Sequence, residues 1–97
     1  MLALDSAKIN KHFVSVNDYS KLIEINPNNA VPYFGRALDF MLIQDFASSL
    51  DDLNRVIQLS DNFVLAYFMR AVVRFKQIEY RAFTQDFDTQ NSKSVTE

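Results

Sequence analysis

The sequence predicts an all-α fold built as a stack of helix–turn–helix hairpins, and three observations carry that expectation. The first is an internal echo at an offset of 34 positions: Tyr33-Phe34-Gly35-Arg36-Ala37 returns as Tyr67-Phe68-Met69-Arg70-Ala71. Asp45-Phe46 returns as Glu79-Tyr80 and Asp52-Leu53 as Asp86-Phe87, while Asp18-Tyr19, Ile23 and Asn28 lie one period before Asp52-Leu53, Ile57 and Asn62. A period of this size marks helical hairpins that bury their apolar faces on one another. The second is the scarcity of turn formers, 1 Gly and 2 Pro in 97 residues, which disfavours a sandwich or barrel. The third is apolar residues at three- and four-residue spacing, as in Tyr33, Phe34, Ala37, Leu38, Phe40 and Met41.

Each element follows from this pattern. Helices are expected over roughly 2–10, 13–25, 30–43, 46–59, 64–77 and 80–90. The joint at Asn26-Pro27-Asn28-Asn29 ends one helix near Ile25, because the proline disfavours helical geometry before it and donates no N–H. Asn28 or Asn29 then caps the next helix, and Pro32 fits only in its first turn. One period on, Ser60-Asp61-Asn62 keeps the capping chemistry without the proline. Residues 1–29 read as a partial repeat, 30–63 as a full one and 64–90 as a third with a polar capping helix, leaving 91–97 as a tail. All belong to one domain.

The bulk numbers exclude more than they identify. The composition is 48% hydrophobic with nine Phe and four Tyr, enough for a packed core. The net charge is −2 and the basic residues are scattered, so no nucleic-acid footprint is visible. No apolar run approaches a membrane span, and Asp5, Lys8 and Lys11 interrupt any signal-peptide core. The compartment stays open, with a cytoplasmic location expected for a complete chain. With no Cys there is no disulfide framework and no thiolate metal site.

On these residues the chain resembles the tetratricopeptide repeat family along nearly its whole length. Ile23-Glu24-Ile25-Asn26-Pro27-Asn28-Asn29 looks like the close of such a repeat. Tyr33, Ala37, Phe40, Asp45-Phe46 and Leu53 stand at the places expected in a complete one, and Tyr67, Ala71, Glu79-Tyr80 and Phe87 resemble a third. The resemblance implies a right-handed stack of about three repeats, the first incomplete, and a non-catalytic scaffold for protein–protein interaction. A start in mid-repeat suggests a piece of a longer array or the loss of an opening helix. The departures are Asn10, Gln44 and Ile78 where the inter-helix turn usually carries Gly, Phe83 where Ser49 stands one period earlier, and Arg74 in place of an aromatic.

In this family the first helices of successive repeats line a concave groove, which implies a partner-binding surface on Phe34, Leu38, Met41, Leu65, Phe68, Val72 and Phe75. Such an apolar, Met-bearing stripe accepts an amphipathic helix or an extended peptide. The family's carboxylate clamp for chaperone tails would fall on Leu4, Gly35, Leu65 and Met69, none of which can grip a carboxylate, so a chaperone tail is not the expected partner. The alternative is a self-associating unit, either a homodimer or part of a longer array.

Other chemistry is sparse. Arg36 and Arg70 recur with Asp18, Asp52 and Asp86, and read as structural ion pairs along the stack. His12 has no nucleophile tied to it by spacing, and a single Gly excludes a phosphate-cradling loop, so no enzyme and no cofactor are expected. Asp86, Asp88, Gln90 and Glu97 sit at calcium-loop spacing, but Asn91 replaces the turn glycine and no helix follows. A polar last helix and tail is the preferred reading there, and no metal is expected.

Overall fold

The computed structural model describes the backbone of residues 6–96 and the side chains of residues 6–85. These form four helices: α1 (Ser6–Ile25), α2 (Ala30–Leu42), α3 (Phe46–Leu59) and α4 (Val64–Thr96). Among the described residues there are no strands. Helices adjacent in sequence pack on one another, α1 on α2, α2 on α3 and α3 on α4.

The joints work through side-chain caps. Asn29 accepts a hydrogen bond from the Val31 backbone N–H at the start of α2, and Asp45 accepts from the Ser48 N–H at the start of α3. Tyr33 Oη donates to the Pro27 carbonyl at 2.9 Å, tying α2 back to the proline joint. The α2–α3 turn is a Schellman motif: the Asp45 N–H reaches the Phe40 carbonyl at 2.9 Å and the Gln44 N–H the Met41 carbonyl at 3.0 Å. That motif puts Gln44 at φ 67°, the left-handed region where glycine is at home. Gln44→Gly is therefore expected to raise stability by about 1 kcal/mol, read as a rise of a few degrees in Tm by circular dichroism.

Two of the expected turns are absent. The spacing predicts breaks near residues 11–12 and 78–79, whereas α1 and α4 run straight through them and α4 continues over the expected tail to Thr96. The reasons are local for α4. Ile78 occupies the position of Gln44, and a β-branched residue disfavours the left-handed conformation that a Schellman turn needs. Ser49, fully buried, donates to the Ala37 carbonyl at 2.8 Å and so joins α3 directly to the backbone of α2. One period on, Phe83 would meet Ala71 at that point and hold the helices apart. Arg74 stands where Phe40 contributes to the α2–α3 hairpin. In α1, Ser6–Ile25 contains neither Gly nor Pro to stop the helix.

The core is accordingly centred on one closed hairpin. Tyr33, Ala37, Leu53, Val56, Ala66 and Val73 form its buried cluster, with Ile23, Phe34, Met41, Phe46, Ile57 and Met69 packed around it. The period equivalents on α4 fare differently: Tyr33 is 8% exposed but Tyr67 is 40%, and Ala37 is buried but Ala71 is exposed.

Candidate functional site

Three polar pins hold the helices in register. Arg36 grips Asp52 with two hydrogen bonds, Nε to Oδ2 at 2.8 Å and Nη2 to Oδ1 at 2.7 Å, joining α2 to α3. The hydrogen bonds to Asp52 raise the Arg36 guanidinium above its ordinary pKa, against the lowering effect of burial. A raised arginine pKa stabilises the fold at every pH below its unfolded value, so Arg36 itself gives no pH dependence in the acid or neutral range. Its third donor, Nη1, reaches Ser20 Oγ on α1 at 2.9 Å, and the guanidinium lies 5.8 Å from the Tyr33 ring centre and 5.7 Å from that of Phe40.

The other recurring charges do not repeat that arrangement. Arg70 Nη1 donates to Asn54 Oδ1 at 3.0 Å, the one-period image of Arg36 on Ser20, and its guanidinium lies 5.5 Å from the Tyr67 ring centre. Because α4 is continuous, the backbone of residue 86 lies sixteen residues along the same helix from that of Arg70, about 24 Å away. The Asp86 side chain itself lies outside the described side chains. Asp18 is exposed and has no ion pair among the described residues.

His12 Nδ1 lies 2.8 Å from Asp39 Oδ1, linking α1 to α2 across 27 positions of sequence. The carboxylate orients the ring, but among the described residues no hydroxyl hydrogen-bonds to His12, so a nucleophile is missing from this pair. Among the described residues there is no cluster of metal-ligating side chains. Asp86, Asp88 and Gln90 fall within helical backbone rather than a loop, which removes the calcium-loop geometry. No helix is long and apolar enough to cross a membrane among the described residues.

The expected groove residues divide between two environments. Phe34, Leu38 and Met41 on α2 are half-buried, and the Phe34 ring tilts against Phe63 with centres 4.9 Å apart. Gly35 lies beneath the Tyr19 ring of α1, where an added Cβ would come within 2.7 Å of Tyr19 Cε1. On α4 the picture reverses, with Leu65 59%, Phe68 62% and Phe75 62% exposed beside a half-buried Val72. Val64, Ile78 and Phe83 extend this exposed apolar surface, and sequence reasoning missed them because a turn at 78–79 would have divided it. A cleft of about 520 Å³ opens where the end of α2 meets the middle of α4, lined by Met41, Leu42, Phe46, Lys76, Tyr80 and Phe83 among others. Phe46 and Tyr80 close one side of it in an edge-to-face pair at 6.1 Å. No family model, no curated protein and no solved structure matches this chain.

Proposed function

We propose that this chain is a non-catalytic protein–protein interaction module that docks a helical or extended peptide segment on the apolar face of α4. In this reading the α2–α3 hairpin is a tetratricopeptide-like unit of a right-handed helical stack, and α4 supplies the contact surface beside it. The observation that carries the proposal is the exposure of Leu65, Phe68, Phe75 and Ile78 on a helix whose other side is packed on α3. Apolar residues exposed contiguously at this scale mark an interaction surface more often than a solvated one. The half-buried Phe34, Leu38 and Met41 serve as its floor rather than as contacts. Binding of a chaperone tail is disfavoured, since Gly35 is covered by Tyr19, and Leu65 and Met69 offer no cation.

The test is a selection of displayed amphipathic helical peptides on the purified chain. Peptides with apolar residues at three- and four-residue spacing are expected, and the double variant Phe68→Ser/Phe75→Ser should weaken their binding at least tenfold, an order of loss typical of two truncated anchors. Both residues are exposed in the single chain, so the helicity and Tm of the monomer should stay close to those of the unaltered chain. Peptides that bind the variant as tightly as the parent would overturn the proposal.

A further inference from the structure

The long α4 carries a second regularity, independent of the 34-residue echo. Val64, Phe68, Ala71, Phe75, Ile78, Ala82 and Gln85 alternate at spacings of four and three, a heptad seam, and every one of them is exposed. Val64 is 74% and Ile78 64% exposed, against 0% for Ala66 and Val73 on the α3 side of the same helix. The seam from Val64 to Ala82 is about 27 Å long and faces away from the packed body. A 3.5-residue apolar repeat is what a second helix winding along the first requires.

We propose that this seam is the interface for a second copy of the chain, the two α4 helices pairing parallel and in register. The inference rests on the reading of the α4 face as a docking surface and adds the identity and orientation of its occupant. Charge complementarity decides both. With Phe68, Phe75 and Ala82 at the a positions and Val64, Ala71 and Ile78 at d, the flanking g positions hold Tyr67, Arg74 and Arg81 and the e positions Leu65, Val72 and Glu79, and the three charged residues are all exposed. A parallel, in-register pair sets each g beside the e five residues further along its partner, which places Arg74 against Glu79 of the second copy on both sides of the seam. An antiparallel pair would set g against g and bring the arginines of the two copies together. The core positions fit the same orientation: Phe75 enters a hole formed by Ala71, Arg74, Phe75 and Ile78 of the second copy, where the small Ala71 leaves room for the ring.

The experiment uses the full chain in sedimentation equilibrium, with charge reversals and introduced cysteines. A dimer is expected. Glu79→Arg should raise its dissociation constant about tenfold or more by setting arginine against arginine, and the double variant Arg74→Glu/Glu79→Arg should restore it to within about threefold. Because the chain has no Cys, Ala71→Cys and Ala82→Cys report register cleanly. Both single variants should form a disulfide-linked dimer under mild oxidation, which an antiparallel pair allows for at most one of them. All substituted positions are exposed, so circular dichroism should be unchanged throughout. A chain that stays monomeric to about 1 mM, a dimer indifferent to Glu79→Arg, or cross-linking by only one cysteine overturns the proposal; concentrations of that order already exceed those at which specific pairs associate. If the monomer still binds selected helical peptides through Phe68 and Phe75, the self-pairing alone has failed and the docking reading stands.

Discussion

Leu53→Ala is expected to lower stability by about 3–4 kcal/mol, the middle of the range for truncating a buried leucine. Leu53 is fully buried in the cluster that also contains Tyr33 and Ala37 of α2 and Ala66 and Val73 of α4. The missing side chain would leave a cavity between helices whose backbones are held by caps and ion pairs, so little collapse can fill it. A domain of this length has a total stability on the order of 5–15 kcal/mol, and the loss corresponds to a fall in Tm of roughly 15–25 °C. Thermal and urea unfolding followed by circular dichroism measure it. The control is Phe75→Ala, measured at concentrations low enough to keep the chain monomeric: a larger side chain is truncated, but one that is 62% exposed in the single chain, and the expected change is under about 0.5 kcal/mol. Equal costs for the two would mean that the core is not centred on α3.

The contrast between these two residues also marks what was legible in the sequence. The α2–α3 hairpin could be read because several signals agree there: Asn29 as a cap, Pro27 as a stop, the recurring Asp45-Phe46 pair, and apolar residues at helical spacing. The third hairpin could not be read from the period, because a period weights every recurrence alike. Its departures are visible in the sequence at Ile78, Phe83 and Arg74, but their consequence is steric and appears only when each is set against its counterpart. Gln44 turns the chain through a left-handed residue, Ser49 lets two helices touch, and Phe40 faces the Arg36 guanidinium.

The candidate surface was legible in part for the same reason. Leu65, Phe68, Val72 and Phe75 could be picked out by repeat position, yet the repeat placed them in a groove with Phe34, Leu38 and Met41, which are half-buried. Only an unbroken helix brings Val64, Ala71, Ile78 and Ala82 onto one line. The polar pins divide likewise. Arg36 with Ser20 and Arg70 with Asn54 are one period apart and could have been found by aligning the copies. His12 with Asp39 obeys no local spacing rule and has no image one period on, so the folded chain was needed to reveal it.

The Arg36–Asp52 pair gives the second large effect. Asp52→Ala is expected to cost about 3 kcal/mol, the low end for breaking a buried ion pair. The Asp52 side chain is 7% exposed and that of Arg36 21%, so removing the carboxylate leaves a largely covered guanidinium with one side-chain hydrogen bond, to Ser20. Partial exposure and the adjacent Tyr33 and Phe40 rings keep the loss from reaching the upper end. The cost belongs to the stranded charge rather than to the attraction itself. Replacing both partners with apolar residues of similar volume, Arg36→Met with Asp52→Leu, should therefore recover most of it, to within about 1 kcal/mol of the parent. Asp18 provides the comparison that the repeat itself supplies: it holds the same repeat position as Asp52 but is exposed, and Asp18→Ala should change stability by less than about 0.5 kcal/mol. Urea unfolding of the four chains at low and high salt separates the cases, because a covered pair is screened far less than an exposed charge. Matching losses at Asp52 and Asp18 would show that recurrence, rather than burial, sets the role of these carboxylates. A double variant no more stable than Asp52→Ala would show that the bidentate attraction, rather than the stranded guanidinium, accounts for the loss.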